Sequence, residues 1–109
     1  GHPTGRLLLR RDPLRMDLEQ VTAAAAQHGV AMEINAQADR LDLNDQHARL
    51  ARDRGVRIVI STDAHSAQGL GNMHWGVQTA RRAWLSPDDV LNTRTIDALR
   101  PLLRRNRTN

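Results

Sequence analysis

An acidic residue and a histidine two positions apart, Asp63 and His65, carry the strongest chemical signal in the sequence. Residues i and i+2 of an extended segment point to the same side, so this carboxylate and this imidazole can converge on one ion. A hard oxygen ligand combined with an imidazole suits Zn²⁺, Mn²⁺ or Fe²⁺. The competing interpretation is a capping aspartate at the end of a strand with a surface histidine beside it.

His2 lies in a short segment, HPTGR at 2–6, whose proline and glycine shape the backbone. Pro3 favours an extended conformation for His2, and Gly5 permits a tight turn, so the segment can present the imidazole rigidly. Taken alone, His2 is better explained as part of a frayed chain end. Because the chain starts at Gly1 and runs directly into this motif, we expect it to be a piece of a longer protein.

Glu33 is the one acidic residue in an otherwise apolar strand-like segment, VAMEINA at 30–36. A carboxylate in such a place needs a hydrogen-bonding partner or a metal nearby. Asn35 lies two residues along, on the same face of the predicted strand. The two side chains either support a site from behind its ligands or form an outward-facing pair on a half-exposed strand.

The composition limits the kinds of site and partner. Because the chain has no cysteine, any metal must be held by His, Asp or Glu. All sixteen Lys and Arg positions are arginine and the net charge is +4, which permits a phosphate-bearing partner such as DNA, with Arg6 and Arg40 as candidate phosphate ligands. A genome rich in arginine codons would explain the same composition. With no apolar run near the ~20 residues of a membrane span and no visible signal peptide, we expect a cytoplasmic protein without a membrane partner.

Alternating helices and strands must position these residues. The predicted elements, in chain order, are a helix from Asp17 to Gly29, a strand at 30–36, a loop at 37–43, a helix from Asn44 to Arg54, a strand at 57–62, a helix at 75–85, a turn begun by Ser86 and Pro87, and a last helix at 95–105 interrupted at Pro101. Asp17 and Asn44 are the expected N-caps. His47, in the first turn of the second helix, is expected to be exposed. Arg104, Arg105 and Arg107 are interpreted as a solvated basic tail.

This alternation is typical of an α/β fold with parallel β/α units. Asp63 and His65 would then follow the C-terminal end of a strand, which is where parallel β/α proteins gather functional groups. Since two strands do not make a stable parallel sheet alone, we expect the remaining strands N-terminal to Gly1.

Three motifs in this order, HPTGR at 2–6, EINA at 33–36 and TDAHS at 62–66, resemble the closing motifs of the PHP (polymerase and histidinol phosphatase) superfamily. The segments GVQTARR at 76–82 and VLNT at 90–93 resemble the end of the PHP domain in bacterial X-family DNA polymerases. The likeness covers essentially the whole chain.

The resemblance implies that residues 1–109 are the C-terminal portion of a PHP metal-dependent phosphoesterase domain, part of a distorted (βα)7 TIM-like barrel. It implies up to three Mn²⁺ or Zn²⁺ ions at the C-terminal mouth of that barrel, and phosphoester hydrolysis as the activity. In the X-family polymerases this activity is 3′–5′ exonuclease and DNA end processing in DNA repair. The implied roles are metal ligation by His2, Asp63 and His65, catalysis by Asp63 and His65, and second-layer or substrate contacts by Arg6, Glu33 and Asn35.

The chain departs from the family pattern in what it lacks. The opening His-x-His motif, the middle His and Glu ligands and the polymerase domain are absent, so the isolated chain is expected to be inactive without the N-terminal half of the domain. Two alternatives stay open. One is a stand-alone PHP phosphatase acting on a small phosphomonoester such as histidinol phosphate, and the other is a structural or DNA-docking module whose metal site has decayed.

Overall fold

A computed structural model describes residues 1–103, in which helices pack against one face of a small parallel sheet. The regular elements are α1 (Leu18–His28), β1 (Met32–Asn35), α2 (Asp45–Asp53), β2 (Ile58–Ser61), α3 (Met73–Arg82) and α4 (Ile96–Leu99). Short 3₁₀ turns occupy Gln68–Asn72, Pro87–Asp89, Leu91–Thr93 and Arg100–Leu102. Within these 103 residues, no helix combines the length and apolar character needed to cross a membrane.

Side-chain caps begin the first two helices at the predicted residues. Asp17 accepts a hydrogen bond from the backbone N–H of Gln20 at 3.2 Å, and Asn44 accepts one from the N–H of His47 at 2.8 Å. Gly29 ends α1 with a φ of 62°, in the left-handed region that a glycine adopts without a Cβ clash. Both predicted helix starts and the glycine stop are therefore confirmed.

The two strands are parallel, with Met32 opposite Ile58 and Asn35 opposite Ser61. Because α2 connects them, β1, α2 and β2 form one β/α/β unit, which is the connection that parallel strands require. The prediction of an α/β chain built from parallel units is confirmed. The closed barrel to which such a unit would belong stays a prediction.

The outer edge of β2 is covered by the segment that follows α3. Val90 forms a parallel bridge to Ile58 on the side of β2 away from β1. The side chain of Asn92 accepts a hydrogen bond from the N–H of Ile60 at 2.8 Å and donates one to its carbonyl oxygen at 2.9 Å. These are the backbone groups that a neighbouring strand would engage, so the side-chain amide takes the place of a strand residue and blocks the open edge.

The core lies between the sheet and the helices and is almost wholly aliphatic. Ile34 and Ile58 are fully buried in it. Gly76 of α3 faces the sheet so closely that a Cβ at this position would overlap the Ile60 side chain and lie 2.9 Å from the Ala36 Cβ. A glycine at this point lets α3 pack directly on the strands, which explains how a core without Phe or Tyr can be closely packed.

The last two helices differ from the predicted ranges. α3 begins at Met73, two residues before the predicted start, and ends at Arg82, since Trp84 adopts a left-handed conformation with a φ of 63° that cannot continue a helix. α4 is a single turn that passes into a 3₁₀ turn at Pro101, because proline lacks the N–H that an α-helix needs there. The end of the predicted last helix and the basic tail, Arg104, Arg105 and Arg107, lie outside the described residues.

The face of the sheet opposite the core carries polar residues. Glu33 and Asn35 of β1 and Ser61 of β2 lie on this face, because strand side chains alternate and the residues between them point into the core. Strand alternation therefore places the polar groups of EINA beside the residues that follow β2.

Candidate functional site

Asp63 and His65 follow the C-terminal end of β2, as predicted. Asp63 has a positive φ of 53°, which turns the chain sharply away from the strand. The His65 Nδ1 lies 2.7 Å from the backbone carbonyl oxygen of Asp63. Since a carbonyl oxygen only accepts, Nδ1 carries the proton in this contact and the Nε2 of a neutral ring keeps its lone pair. Both residues are exposed, so the carboxylate and the Nε2 are accessible.

Asn35 joins β1 to the Asp63 carboxylate. Its Nδ2 donates to the Asp63 Oδ2 at 3.2 Å, while its Oδ1 accepts a hydrogen bond from the backbone N–H of Gln37 at 3.0 Å. The second bond fixes which end of the amide faces the carboxylate, because only an oxygen can accept from that N–H. Gln37 adds a third tie by donating its Nε2 to the Asp63 carbonyl oxygen at 2.6 Å. The buried side-chain amide of Asn35 therefore orients the Asp63 carboxylate from the sheet side.

Glu33 holds the start of the chain in place. Its Oε1 accepts a hydrogen bond from the backbone N–H of His2 at 2.6 Å. His2 itself has a φ of 26°, an unusual conformation for a residue with a side chain. The structure thus places Glu33 and Asn35 beside two different candidate ligands, Glu33 against the backbone of His2 and Asn35 against the side chain of Asp63. Their predicted role toward a substrate stays a prediction.

Two loops, the HPTGR loop at 2–6 and the loop at 37–43, are joined by reciprocal hydrogen bonds of two arginines, and we call them the clasped loops. Arg6 donates from Nε to the Arg40 carbonyl oxygen at 2.7 Å and from Nη2 to the Leu41 carbonyl oxygen. Arg40 in turn donates from Nη1 to the Arg6 carbonyl oxygen at 3.3 Å. Both arginines predicted to bind phosphate therefore act as links between the loops.

Asp42 is the site residue that the sequence interpretation missed. It is only 1% exposed, and its Oδ2 accepts hydrogen bonds from the backbone N–H groups of Thr4 and Gly5 at 2.9 and 3.0 Å. The available signal was an acid between two leucines, Leu41 and Leu43, in a segment predicted as an ordinary loop. An acid flanked by apolar residues is a candidate for a buried and bonded carboxylate.

His47 is half-buried and not exposed as predicted, because it lines a small cavity together with Thr4, Arg6 and Asp42. Burial lowers the pKa of His47, since a charged ring is poorly solvated there. The Asp42 carboxylate opposes this shift and the Arg6 guanidinium adds to it. His47 is therefore a neutral ring packed between the clasped loops and the start of α2.

The Asp63 and His65 pair suits two positions in a divalent metal site. An imidazole whose Nδ1 proton is held by a backbone carbonyl, and a carboxylate oriented by an amide, are the outer supports that metal ligands commonly have. Among residues 1–103, however, no three His, Asp or Glu side chains come together as a group that could hold one ion. The structure thus does not assemble His2 with Asp63 and His65, and ligation by these three residues stays a prediction.

Comparisons with known proteins relate the chain to parts of larger proteins. No protein-family model matches it. The chain is 41% identical over 106 residues to the Bacillus subtilis DNA polymerase/3'-5' exonuclease PolX, a match that covers 97% of this chain and 19% of that protein. It is 33% identical over 98 residues to a probable phosphatase of Edwardsiella ictaluri, covering 84% of this chain and 40% of the relative. A probable phosphatase of Shewanella sp. strain ANA-3 is 30% identical over 83 residues, a match that covers 71% of this chain and 33% of that protein.

The chain spans about a fifth of the PolX protein and 33–40% of the two phosphatases. The matched stretches include 97%, 84% and 71% of this chain, respectively. The chain is thus similar, over most of its length, to one part of a bacterial PolX and to one part of several probable phosphatases.

Proposed function

We propose that this chain forms part of a metal-dependent phosphoesterase site that removes nucleotides from DNA ends. The observation that carries the proposal is the pairing of Asp63 and His65 at the C-terminal end of β2, with Asn35 bonded to the carboxylate. Parallel β/α proteins gather their functional groups at this end of the strands. Similarity over 97% of the chain to a protein named as a 3'-5' exonuclease supports DNA as the substrate.

In this proposal residues 1–109 are the C-terminal portion of a PHP domain in a bacterial X-family DNA polymerase that acts in DNA repair. The three motifs and their order support this, as does the match to 19% of a PolX protein. Parallel sheets are usually covered on both faces, and further strands of a (βα)7 barrel, paired at a sheet edge, would enclose the polar face that bears Glu33 and Asn35. Those strands would come from the N-terminal half of the domain.

The proposed cofactor is Mn²⁺ or Zn²⁺, up to three ions in the intact domain, with Asp63, His65 and His2 among the ligands. When bound, such ions supply a water of lowered pKa and neutralise charge on the phosphate oxygens. The chain itself orients the metal-binding atoms of His65 and Asp63 through hydrogen bonds. The Asp63 carbonyl oxygen holds the His65 Nδ1 proton, and Asn35 fixes the Asp63 carboxylate.

Arg6 is the proposed contact to the scissile phosphate. A guanidinium has five N–H groups, and two of those of Arg6 are used on the backbone at residues 40–41. The remaining N–H groups can bind phosphate oxygens while the fork stays fixed, and a fixed fork loses little entropy when it binds.

A second candidate is hydrolysis of a small phosphomonoester. Its support is that relatives 33% and 30% identical to the chain carry the name probable phosphatase. A third candidate, a non-catalytic docking module, is supported by the lack of a three-ligand group within residues 1–103.

One experiment separates these three functions. The protein that carries this chain is incubated with Mn²⁺ and either single-stranded DNA labelled at its 5′ end or p-nitrophenyl phosphate. The proposal predicts progressive shortening of the DNA and much slower release of p-nitrophenol. Faster turnover of the phosphomonoester would favour the phosphatase, and turnover of neither substrate would favour the docking module.

The matched pair of variants for this assay is Asp63→Asn and Asp88→Asn. Asp88 is an exposed acid in the 3₁₀ turn after α3 and takes no part in the contacts described for the site. We expect Asp63→Asn to abolish DNA shortening and Asp88→Asn to leave it unchanged. Equal activity in both variants would remove Asp63 from the site.

A further inference from the structure

Asp42 lies where the two clasped loops meet the sheet. Its carboxylate holds the N–H groups of Thr4 and Gly5, and its own backbone forms an antiparallel bridge with Asn35. In that bridge the Asn35 N–H donates to the Asp42 carbonyl oxygen at 2.5 Å and the Asp42 N–H donates to the Asn35 carbonyl oxygen at 3.2 Å. One residue thus connects the loop that carries His2 to the residue that orients Asp63.

We propose that Asp42 is a positioning residue of the candidate site, which fixes the backbone of the His2 loop relative to Asn35 and Asp63. The inference rests on the proposed function, because that function gives the site its ligands. Asp42 does not touch the reacting groups in this role. It acts through the backbone of residues 4–5 on one side and through the backbone of Asn35 on the other.

The burial of Asp42 supports a positioning role over a role in packing. The side chain is nearly inaccessible and its Oδ1, like the Thr4 Oγ1, has no hydrogen-bond partner within the part of the chain that the structure describes. A buried carboxylate with an unpartnered oxygen is unfavourable for the fold. Its favourable contribution is the pair of hydrogen bonds to the loop, and charge-assisted bonds to backbone N–H groups are strong and directional.

The contacts around Asp42 give the His2 loop two further ties. The Gly5 N–H also donates to the His2 carbonyl oxygen at 2.9 Å, which closes a turn. Glu33 holds the N–H of His2 at 2.6 Å. Because Asp42 holds the far side of this turn, its removal takes away both of the side-chain hydrogen bonds to the N–H groups of residues 4–5, and His2 becomes freer to change its position relative to Asp63.

The test compares Asp42→Ala, Asp42→Asn and Asp39→Ala in the protein that carries this chain. Asp42→Ala removes the acceptor. Asp42→Asn keeps one oxygen of the same shape for the two N–H groups. Asp39→Ala is the matched control, since it removes an acid from the same loop. Within residues 1–103, Asp39 accepts a hydrogen bond from the Leu8 N–H through its backbone oxygen, which the substitution keeps.

Three measurements are made on each variant: amide hydrogen exchange of a peptide covering residues 3–8, Mn²⁺ affinity by titration of the free-ion EPR signal, and Mn²⁺-dependent DNA hydrolysis. For Asp42→Ala we expect exchange at residues 4–5 to speed up by roughly tenfold or more. Mn²⁺ affinity and hydrolysis should fall by about 10–100-fold, as for other residues that support ligands indirectly. Asp42→Asn should restore exchange and recover most of the affinity, and Asp39→Ala should match wild type.

The inference is overturned if Asp42→Ala matches Asp39→Ala in exchange or in Mn²⁺ affinity, or if Asp42→Asn is as defective as Asp42→Ala. Exchange of a core peptide at 56–62 shows that each variant is folded. If Asp42→Ala does not fold, Asp42→Ser takes its place, because its shorter side chain withdraws the oxygen from both N–H groups. A wild-type protein that binds Mn²⁺ but hydrolyses no DNA would refute the proposed function alone, and exchange and affinity would still decide the role of Asp42.

Discussion

Asn35 and Asp63 are joined across the ends of two parallel strands by a hydrogen bond of 3.2 Å from the Asn35 Nδ2 to the Asp63 Oδ2. Asn35 is the last residue of β1, and Asp63 lies two residues beyond the end of β2. The register that sets Asn35 opposite Ser61 brings the two side chains together. The pairing of the strands therefore determines the orientation of the carboxylate.

The first prediction concerns Asn35→Ala and its matched control Asn92→Ala. Each variant removes an amide that makes two hydrogen bonds at a strand, those of Asn35 to Asp63 and Gln37 and those of Asn92 to Ile60. We expect each variant to lower the free energy of unfolding by about 1–3 kcal/mol in chemical denaturation. In the protein that carries this chain, only Asn35→Ala should also lower phosphoester hydrolysis per folded molecule, by roughly 10–100-fold. Equal catalytic loss in both variants would mean that Asn35 affects only stability.

The second prediction concerns the close approach of α3 to the sheet. Gly76→Ala places a methyl group against Ile60 and Ala36, and overpacking of this kind typically destabilises by about 1–3 kcal/mol. This corresponds to a fall in Tm of about 4–8 °C for each kcal/mol in a domain of about 60–100 residues, and of about 2–4 °C in one of about 150–250 residues. Gly71→Ala is the control, because a Cβ there meets nothing within 4 Å. A Tm for Gly76→Ala that equals the Tm of Gly71→Ala in differential scanning calorimetry would contradict the packing described for α3.

The third prediction concerns pH and His47. Burial lowers the pKa of His47 in the folded protein below its ordinary value of 6.5, so between the two values the unfolded chain binds more protons than the folded one. His47 therefore contributes its full share of stability above pH 6.5. This share is lost as the pH falls from 6.5 through the lowered pKa of His47 in the folded protein. We expect the free energy of unfolding of wild type to fall more steeply on acidification than that of His47→Gln, measured by urea denaturation at a series of pH values. Parallel curves for the two proteins would contradict the burial of a neutral ring.

Local signals in the sequence predicted the starts of α1 and α2, and the C-terminal ends of both strands to within one residue. Asp17, Asn44 and Gly29 act through bonds to residues three or four positions away, so sequence spacing is enough to identify them. The position of Asp63 and His65 after β2 followed from the apolar run at 58–60, because a strand and its end are also local features.

The contacts that cross between loops were not predictable in the same way. Asp42 binds residues 37 and 38 positions earlier in the chain, and no local pattern specifies such a partner. The burial of His47 has the same origin, since it depends on the HPTGR loop packing against the start of α2. The edge contact of Asn92 with Ile60 likewise joins residues 32 positions apart.

The binding of a divalent ion by Asp63 and His65 is the claim on which the proposed function depends. It is tested most directly by Mn²⁺ titration of the protein that carries this chain, comparing wild type, Asp63→Asn, His65→Gln and the control Asp88→Asn. The proposed function predicts that wild type and Asp88→Asn bind Mn²⁺ alike, and that Asp63→Asn and His65→Gln each lose at least one bound ion. Wild-type binding in both site variants would contradict it.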